Sequence, residues 1–263
     1  MSELEQIIAI TRTEVERRRR DLSQRELERT GAQRLERDPI RPFRAALEAP
    51  GLTVIAEHKR RSPSAGAIRE DLSLKDVVRA YERGGAGALS VLTEDSRFGG
   101  ALRDLRTARA ATRLPILRKD FVVTSWQVYE SLAAGADAIL LIVAALAQDE
   151  LESLCAEAAT VGLQALVEVH DRHELERALA AGAEVIGINN RNLATFEVDV
   201  ARTFELLPLV PPGKVVVSES GFRSRAQLGR LAAERVHAVL IGEALMRSDD
   251  PEAACRALTT LAV

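Results

Sequence analysis

The chain has 263 residues, of which 46% are hydrophobic and 29% charged, and its formal net charge is −3. This composition is typical of a folded globular protein, and a near-neutral charge argues against nucleic-acid binding, which needs a basic face. The longest apolar run, 138–147, is too short to cross a bilayer, and charges stand at the N-terminus where a signal peptide would be apolar, so we expect a cytoplasmic protein without membrane partners.

Residues 1–47 are predicted to form a helical extension ahead of the main domain. An apolar stripe runs through this segment from Leu4 to Leu22. Its arginines, densest at 17–20, are nearly balanced by acids, which favours helices packed on the protein over an arm that binds nucleic acid. Residues 48–263 are predicted to form one catalytic domain.

Eight short, almost continuously apolar segments follow, and helical sequence succeeds each of them. Such segments are typical of parallel strands that are buried on both faces. The predicted strands are 53–57, 88–92, 116–118, 138–143, 164–169, 185–188, 215–218 and 238–241, with helices predicted at 73–83, 148–160, 172–181 and 251–261. Eight such units, with no Gly-rich dinucleotide motif after the first strand, predict an α/β fold of the (βα)8 TIM-barrel type.

Lysines and glutamates collect at the predicted C-terminal ends of the strands, where a (βα)8 barrel carries its active site. The chain has thirty-two arginines and only four lysines, yet Lys59 and Lys119 both lie at this end, together with Glu57, Glu168 and Glu219. Mutual proximity and burial can move such pKa values toward neutrality, which favours proton-transfer chemistry. The alternative is an ion-pair network that only closes the barrel. It would require the desolvation of several charges for stability alone, which is energetically unfavourable.

Small residues follow the last two strands. Ser220-Gly221 comes after the seventh and Gly242-Glu243 after the eighth. Small side chains there let backbone N–H groups approach a phosphate. We therefore expect a small, phosphorylated substrate.

Seven motifs, in order, resemble those of the indole-3-glycerol-phosphate synthase family. They are VIAEHKRRSPSAG from Val54, PILRKDF from Pro115, ADAILLIV from Ala136, LVEVHD from Leu166, IGINNRNL from Ile186, VVSESGF from Val216 and LIGEALM from Leu240. The resemblance covers 52–246. It implies ring closure, decarboxylation and dehydration of 1-(2-carboxyphenylamino)-1-deoxyribulose 5-phosphate to indole-3-glycerol phosphate, in tryptophan biosynthesis. It also implies a carboxy-lyase that needs no metal or organic cofactor, because the iminium formed on ring closure accepts the electrons released with carbon dioxide.

The resemblance implies a role for each matching residue. Lys119 would be the general acid on the carbonyl oxygen, and Glu168 the opposing acid or base in dehydration. Lys59, with Glu57 as its partner, would hold the substrate's carboxylate and support its loss. The remaining residues would orient the sugar-derived chain (Asn189, Glu219 and Arg191), bind the phosphate (Ser62, Ser220, Gly221, Gly242 and the backbone N–H of Glu243) and flank the anthranilate ring (Phe98, Phe121 and Leu140).

Two histidines could suggest a metal site. His170 and His173 are three residues apart, but no third ligand has a suitable spacing, so we predict no metal. Two interpretations of His170 stay open: it contacts the substrate, or it forms a hydrogen bond to Asp171.

Two other functions stay open on the sequence alone. One is another reaction on a phosphate-binding barrel, either sugar-phosphate isomerisation or Schiff-base aldol chemistry at Lys119. The other is an interaction protein that docks through its charged N-terminal helices. We expect a monomer or a weak homo-oligomer.

Overall fold

The eight predicted strands form one closed, parallel barrel. A computed structural model describes residues 2–62, 66–192, 195, 197–222 and 225–260. Strands β1 to β8 are Thr53–His58, Ala88–Leu92, Ile116–Lys119, Ala138–Ile142, Gln164–Val169, Val185–Asn189, Val215–Glu219 and Ala238–Ile241. Strand β1 pairs with β8 as well as with β2, which closes the sheet. The TIM barrel is thus confirmed.

Helices precede the barrel and connect its strands. Three come before β1, namely α1 (Glu3–Asp21), α2 (Gln24–Arg37) and α3 (Phe43–Leu47). The others are α4 (Leu74–Arg83), α5 (Leu102–Ala111), α6 (Ser125–Ala134), α7 (Gln148–Thr160), α8 (Arg172–Ala180), α9 (Ala201–Leu206), α10 (Arg225–Ala232), α11 (Glu243–Met246) and α12 (Pro251–Thr259). Residue 261, the predicted end of the last helix, lies outside the described residues. No helix in the described part of the chain is long and apolar enough to span a membrane.

Side chains alternate between two apolar layers, one inside the barrel and one between barrel and helices. Inside, Ile55, Leu117 and Leu166 fill the lumen, each two residues before a charged residue of its strand. Because side chains two apart on a strand share a face, Glu57, Lys119 and Glu168 project into the lumen above this floor. The alternation therefore carries the charged groups to the C-terminal mouth.

The N-terminal helices are fixed to the opposite end and flank of the barrel. Phe43 and Leu47 of α3 are fully buried against the inner layer, which closes the end away from the mouth. Asp137, just before β4, is also fully buried; it accepts a hydrogen bond from the Arg41 backbone N–H at 2.8 Å and pairs with Arg109 at 2.5 Å. These contacts tie the segment between α2 and α3 to the barrel, because a buried carboxylate needs partners of this kind.

One element was not predicted. A short antiparallel pair, Arg61–Ser62 with Gly66–Ala67, lies in the loop after β1. Each strand has only two residues, too few to produce an alternating pattern in the sequence. The pair places Ser62 beside the mouth of the barrel, where it lines the central cavity.

Candidate active site

Two adjoining lobes form the cavity at the mouth of the barrel. A lobe of about 460 Å³ lies beside the loops after β7 and β8, and a lobe of about 140 Å³ lies over the ends of β3, β4 and β5. Every residue predicted for the site lines one of them. The larger lobe alone includes Gly221 and Gly242, and the smaller alone includes Ser62, Phe98, Lys119, Phe121, Leu140, Glu168, Asn189 and Glu219. The residues that line both are Glu57, Lys59, Arg191, Ser220 and Glu243.

Lys119 lies between two carboxylates. Its Nζ is 3.3 Å from Glu168 Oε2 and 3.8 Å from Glu219 Oε2. The Asn189 side-chain amide donates to Glu168 Oε1 at 3.1 Å. Both glutamates are almost fully buried, so water screens these charges little.

The three groups differ in protonation. Burial opposes the charged form of Lys119, but Glu168 and Glu219 outweigh it and raise the lysine's pKa above its usual value. Burial likewise opposes ionisation of Glu168, but the positive charges of Lys119 and His170 lower its pKa below the usual range. Burial and the nearby charge of Glu168 raise the pKa of Glu219 to about 8. At neutral pH the lumen therefore holds proton donors beside a proton acceptor.

A second ion pair stands where the two lobes meet. Lys59 Nζ is 2.9 Å from Glu57 Oε1, and the Ser90 hydroxyl donates to Glu57 Oε2 at 3.3 Å. Burial opposes ionisation of Glu57, but Lys59 and Lys119 lower its pKa. A Cβ on Gly242 would lie 2.6 Å from Glu57 Oε1, so this carboxylate needs the glycine beside it.

The loop after β7 has an unusual backbone. Among the described non-glycine residues, Ser220 alone has a positive φ, 68°, and Gly221 follows at 93°. The Asn190 amide donates to the Ser220 carbonyl at 3.1 Å, and a Cβ on Gly221 would approach Val198 Cγ1 to 2.5 Å. Such strain persists only where the surroundings impose it, and it is common at ligand-binding loops.

An apolar wall flanks the smaller lobe. Phe98, Phe121 and Leu140 line it as predicted, together with Leu92 and Ile142, which were not predicted. Glu94, also missed, holds the loop that carries Phe98. Its carboxylate accepts from the backbone N–H groups of Ser96, Arg97 and Phe98 at 3.0, 2.8 and 3.0 Å. The signal for Glu94 was its place two residues beyond the apolar run of β2.

His170 is nearer to the charged cluster than the sequence indicated. Its Nε2 is 3.3 Å from Glu168 Oε1, and its Nδ1 is 2.9 Å from Glu174 Oε2. The suggested bond to Asp171 is wrong, because Asp171 caps α8 by accepting from the Glu174 backbone N–H at 2.8 Å. Among the described residues, no group of three or more His, Cys, Asp or Glu side chains is arranged to hold a metal ion.

Gly187 is a further residue that sequence reasoning missed. It lies in the middle of β6, and a Cβ there would be 2.2 Å from Glu219 Oε1. A glycine inside a strand often marks such a close approach. Its position between Ile186 and Ile188, in an otherwise apolar strand, was the available signal.

Replacing Gly187 by alanine is expected to displace the Glu219 carboxylate and lower kcat about tenfold, since misplacing a group by about 1 Å is costly. Steady-state kinetics would check this. The control is Gly229→Ala on α10, where an added Cβ meets nothing within 4 Å. A Gly187→Ala variant with unchanged kcat would show that Glu219 tolerates the shift.

The closed barrel and its charged lumen define a class: a (βα)8-barrel enzyme whose mouth is arranged for acid–base chemistry. The family model for indole-3-glycerol phosphate synthase matches residues 4–258. The chain therefore belongs to the indole-3-glycerol phosphate synthase family.

Curated relatives agree. The chain is 53% identical over 223 residues to indole-3-glycerol phosphate synthase of Nocardioides sp., covering 85% of this chain and 84% of the relative. It is 48% identical over 259 residues to that of Micrococcus luteus, covering 98% and 97%. The predicted function is confirmed: the chain is a carboxy-lyase of tryptophan biosynthesis that acts on a small phosphorylated substrate.

Solved structures agree on the fold. Thiamine phosphate pyrophosphorylase from Pyrococcus furiosus superimposes with a TM-score of 0.60 at 19% identity, covering 79% of this chain and 93% of that one. KGPDC from Streptococcus mutans gives 0.59 at 13% identity, covering 79% and 95%. At such low identity these likenesses concern the barrel alone.

Proposed function

We propose that Lys119 is the general acid of ring closure. The observation that carries this role is the position of its ammonium group between Glu168 and Glu219, 3.3 and 3.8 Å from their carboxylates. When the ring carbon attacks the substrate's carbonyl carbon, the carbonyl oxygen becomes strongly basic and takes a proton from Nζ. Because its neighbours raise the pKa of Lys119, the amine carries that proton before the reaction starts.

Lys59 supports the loss of carbon dioxide in the next step. Ring closure leaves an iminium, and the electrons of the breaking C–C bond flow into it as carbon dioxide departs. Lys59 holds the carboxylate for this step, and Glu57, 2.9 Å away, fixes the ammonium group. The pairing keeps Lys59 at the junction of the lobes, within reach of both ends of the substrate.

Glu168 acts in the last step, the loss of water. Its lowered pKa keeps it ionised, so it can take the proton that leaves carbon as the double bond of the indole forms. Glu219 has a pKa of about 8 and is protonated at neutral pH, which lets it donate a hydrogen bond to the departing hydroxyl and supply the proton with which that group leaves as water. Asn189, which donates to Glu168 at 3.1 Å, and Arg191 orient the same chain.

The substrate occupies both lobes. Its anthranilate ring lies in the smaller lobe against Phe98, Phe121 and Leu140, and its phosphate lies in the larger one. There it meets backbone N–H groups of the loops after β7 and β8, namely those of Ser220, Gly221, Gly242 and Glu243, and Ser62 contacts it from the side of the smaller lobe. We also propose a cytoplasmic enzyme, monomeric or weakly oligomeric, in keeping with its free Cys155 and Cys255.

The alternative of Schiff-base chemistry at Lys119 is disfavoured by the same geometry. An amine must lose its proton before it can attack a carbonyl, and Glu168 and Glu219 hold this one protonated. Borohydride, which traps a Schiff base, is therefore expected to leave the enzyme unmodified in the presence of substrate.

The direct test is to mix the purified chain with 1-(2-carboxyphenylamino)-1-deoxyribulose 5-phosphate, with no metal added. We expect indole fluorescence to appear in step with carbon dioxide release. If neither signal appears with correctly folded protein, the proposed reaction at this site is wrong.

A further inference from the structure

His170 contacts the catalytic cluster but has no part in the steps above. It follows β5 directly, two residues after Glu168, so both side chains point to the lumen side. The imidazole is largely buried, and its Nε2 makes no hydrogen bond within the described part of the chain. The atom that this nitrogen approaches is Glu168 Oε1, at 3.3 Å.

Glu174 fixes the orientation of the imidazole. One of its oxygens, Oε2, accepts from the His170 backbone N–H at 2.7 Å and lies 2.9 Å from Nδ1. With its proton on Nδ1, a neutral ring would turn the Nε2 lone pair toward the Glu168 carboxylate. That lone pair and the carboxylate oxygen would repel each other, so the arrangement favours a proton on each nitrogen of the imidazole.

The charges around His170 support the cationic form. Burial opposes it, but the carboxylates of Glu168 and Glu174 raise the pKa of His170 to about 10. Across the lumen lie Lys119 and Glu219, both of which interact with Glu168. The imidazolium therefore stands between two anions at neutral pH.

Glu168 thus has a partner on each oxygen. Lys119 contacts Oε2, whereas His170 and the Asn189 amide approach Oε1. Lys119 loses its charge once it gives its proton to the substrate, but a histidine that is bonded to Glu174 keeps its own. Without it, Glu168 would then lie beside Glu219 with only a neutral amide as partner.

We propose that His170 and Glu174 are a positioning pair that keeps Glu168 ionised and in place until it takes the proton in the dehydration step, including after Lys119 has given up its own proton. The inference rests on the base role proposed for Glu168. His170 acts through that carboxylate and touches none of the reacting atoms, which makes it a positioning residue.

The test is the pH dependence of kcat/KM for His170→Asn. Removing a positive charge within ion-pair distance raises the pKa of a carboxyl by about one unit or more. We expect the acidic limb of the profile to move to higher pH by that amount, so that kcat/KM is about tenfold lower at pH values below the limb and differs little at pH 8. The substrate's phosphate titrates identically in the assays of both proteins, so a difference between their pH profiles reflects a group of the enzyme. The control, His173→Asn, changes an exposed histidine of α8 and should leave the limb in place.

Glu174→Gln gives an independent test. We expect it to move the limb in the same direction by a smaller amount, and to add nothing in a His170→Asn background, because Glu174 acts through His170. The proposed positioning role would be refuted if the acidic limb stayed in place in both single variants, or if the shifts of the two single variants added in the double variant. Glu168→Gln separates the positioning role of His170 from the base role of Glu168. If Glu168→Gln makes no indole while the acidic limb of His170→Asn stays in place, only the positioning role fails. If Glu168→Gln is active, the base role itself is wrong.

Discussion

Replacing Lys119 by arginine is expected to lower kcat for indole-3-glycerol phosphate formation by about 10³, within the range attributed to general acid–base catalysis. The guanidinium keeps the positive charge that Glu168 and Glu219 require, so the fold and the charge balance of the lumen are retained. It cannot supply the proton, because arginine stays protonated at any accessible pH. Steady-state assay of the indole product measures the loss.

The matched control is Lys75→Arg, which makes the same change on the exposed face of α4 and should leave kcat unchanged. Thermal unfolding of both variants shows whether the fold survives. A Lys119→Arg enzyme that keeps more than a tenth of the wild-type kcat would contradict the role of Lys119, because charge alone would then be sufficient.

The barrel was predictable because parallel strands buried on both faces produce continuous apolar runs. All eight were predicted to within one residue at each end. Strand β4 ends one residue earlier than predicted, at Ile142, whereas the other four errors fall at polar residues: β1, β3, β6 and β7 extend one residue further than predicted, to His58, Lys119, Asn189 and Glu219. These residues make strand hydrogen bonds although their side chains are polar, so a hydrophobic pattern cannot include them.

The cavity was predictable from position along the strands, since residues at the C-terminal ends must converge in a closed barrel. The contacts that side chains make with each other at this end were not predictable. His170 and Glu174 are four residues apart, but their bond depends on how α8 leaves the loop after β5. The need for Gly187 depends on the bulk of Glu219 on a neighbouring strand, which no local pattern in the sequence records.

The protonation states also lay beyond the sequence. Glu168 and Glu219 look alike at the ends of their strands, yet their pKa values move in opposite directions. Burial opposes ionisation of both. Lys119 is nearer to Glu168 than to Glu219, and His170 and Asn189 add their contacts to Glu168 only. A difference of a few tenths of an ångström and two extra partners therefore decides which carboxyl is the base.

Replacing Glu168 by glutamine is expected to stop the reaction at the dehydration step, with kcat for indole formation lower by about 10² to 10³. Glutamine has nearly the same shape and can still pair with Asn189, so substrate should bind with KM changed only a few-fold. Ring closure and decarboxylation use Lys119 and Lys59, which the substitution leaves in place. A single-turnover experiment should therefore release stoichiometric carbon dioxide well before indole fluorescence appears.

The interval between the two signals distinguishes this role from a structural one. A variant that was merely distorted would slow both signals together, whereas loss of the base leaves the decarboxylated alcohol on the enzyme. Glu176→Gln, which removes an exposed carboxyl of α8 paired with Arg172, serves as the control and should keep the signals in step. If carbon dioxide and indole also appear together in Glu168→Gln, the residue acts before or during ring closure. Because decarboxylation is irreversible, the release of carbon dioxide ahead of indole cannot be produced by an intermediate that returns to substrate.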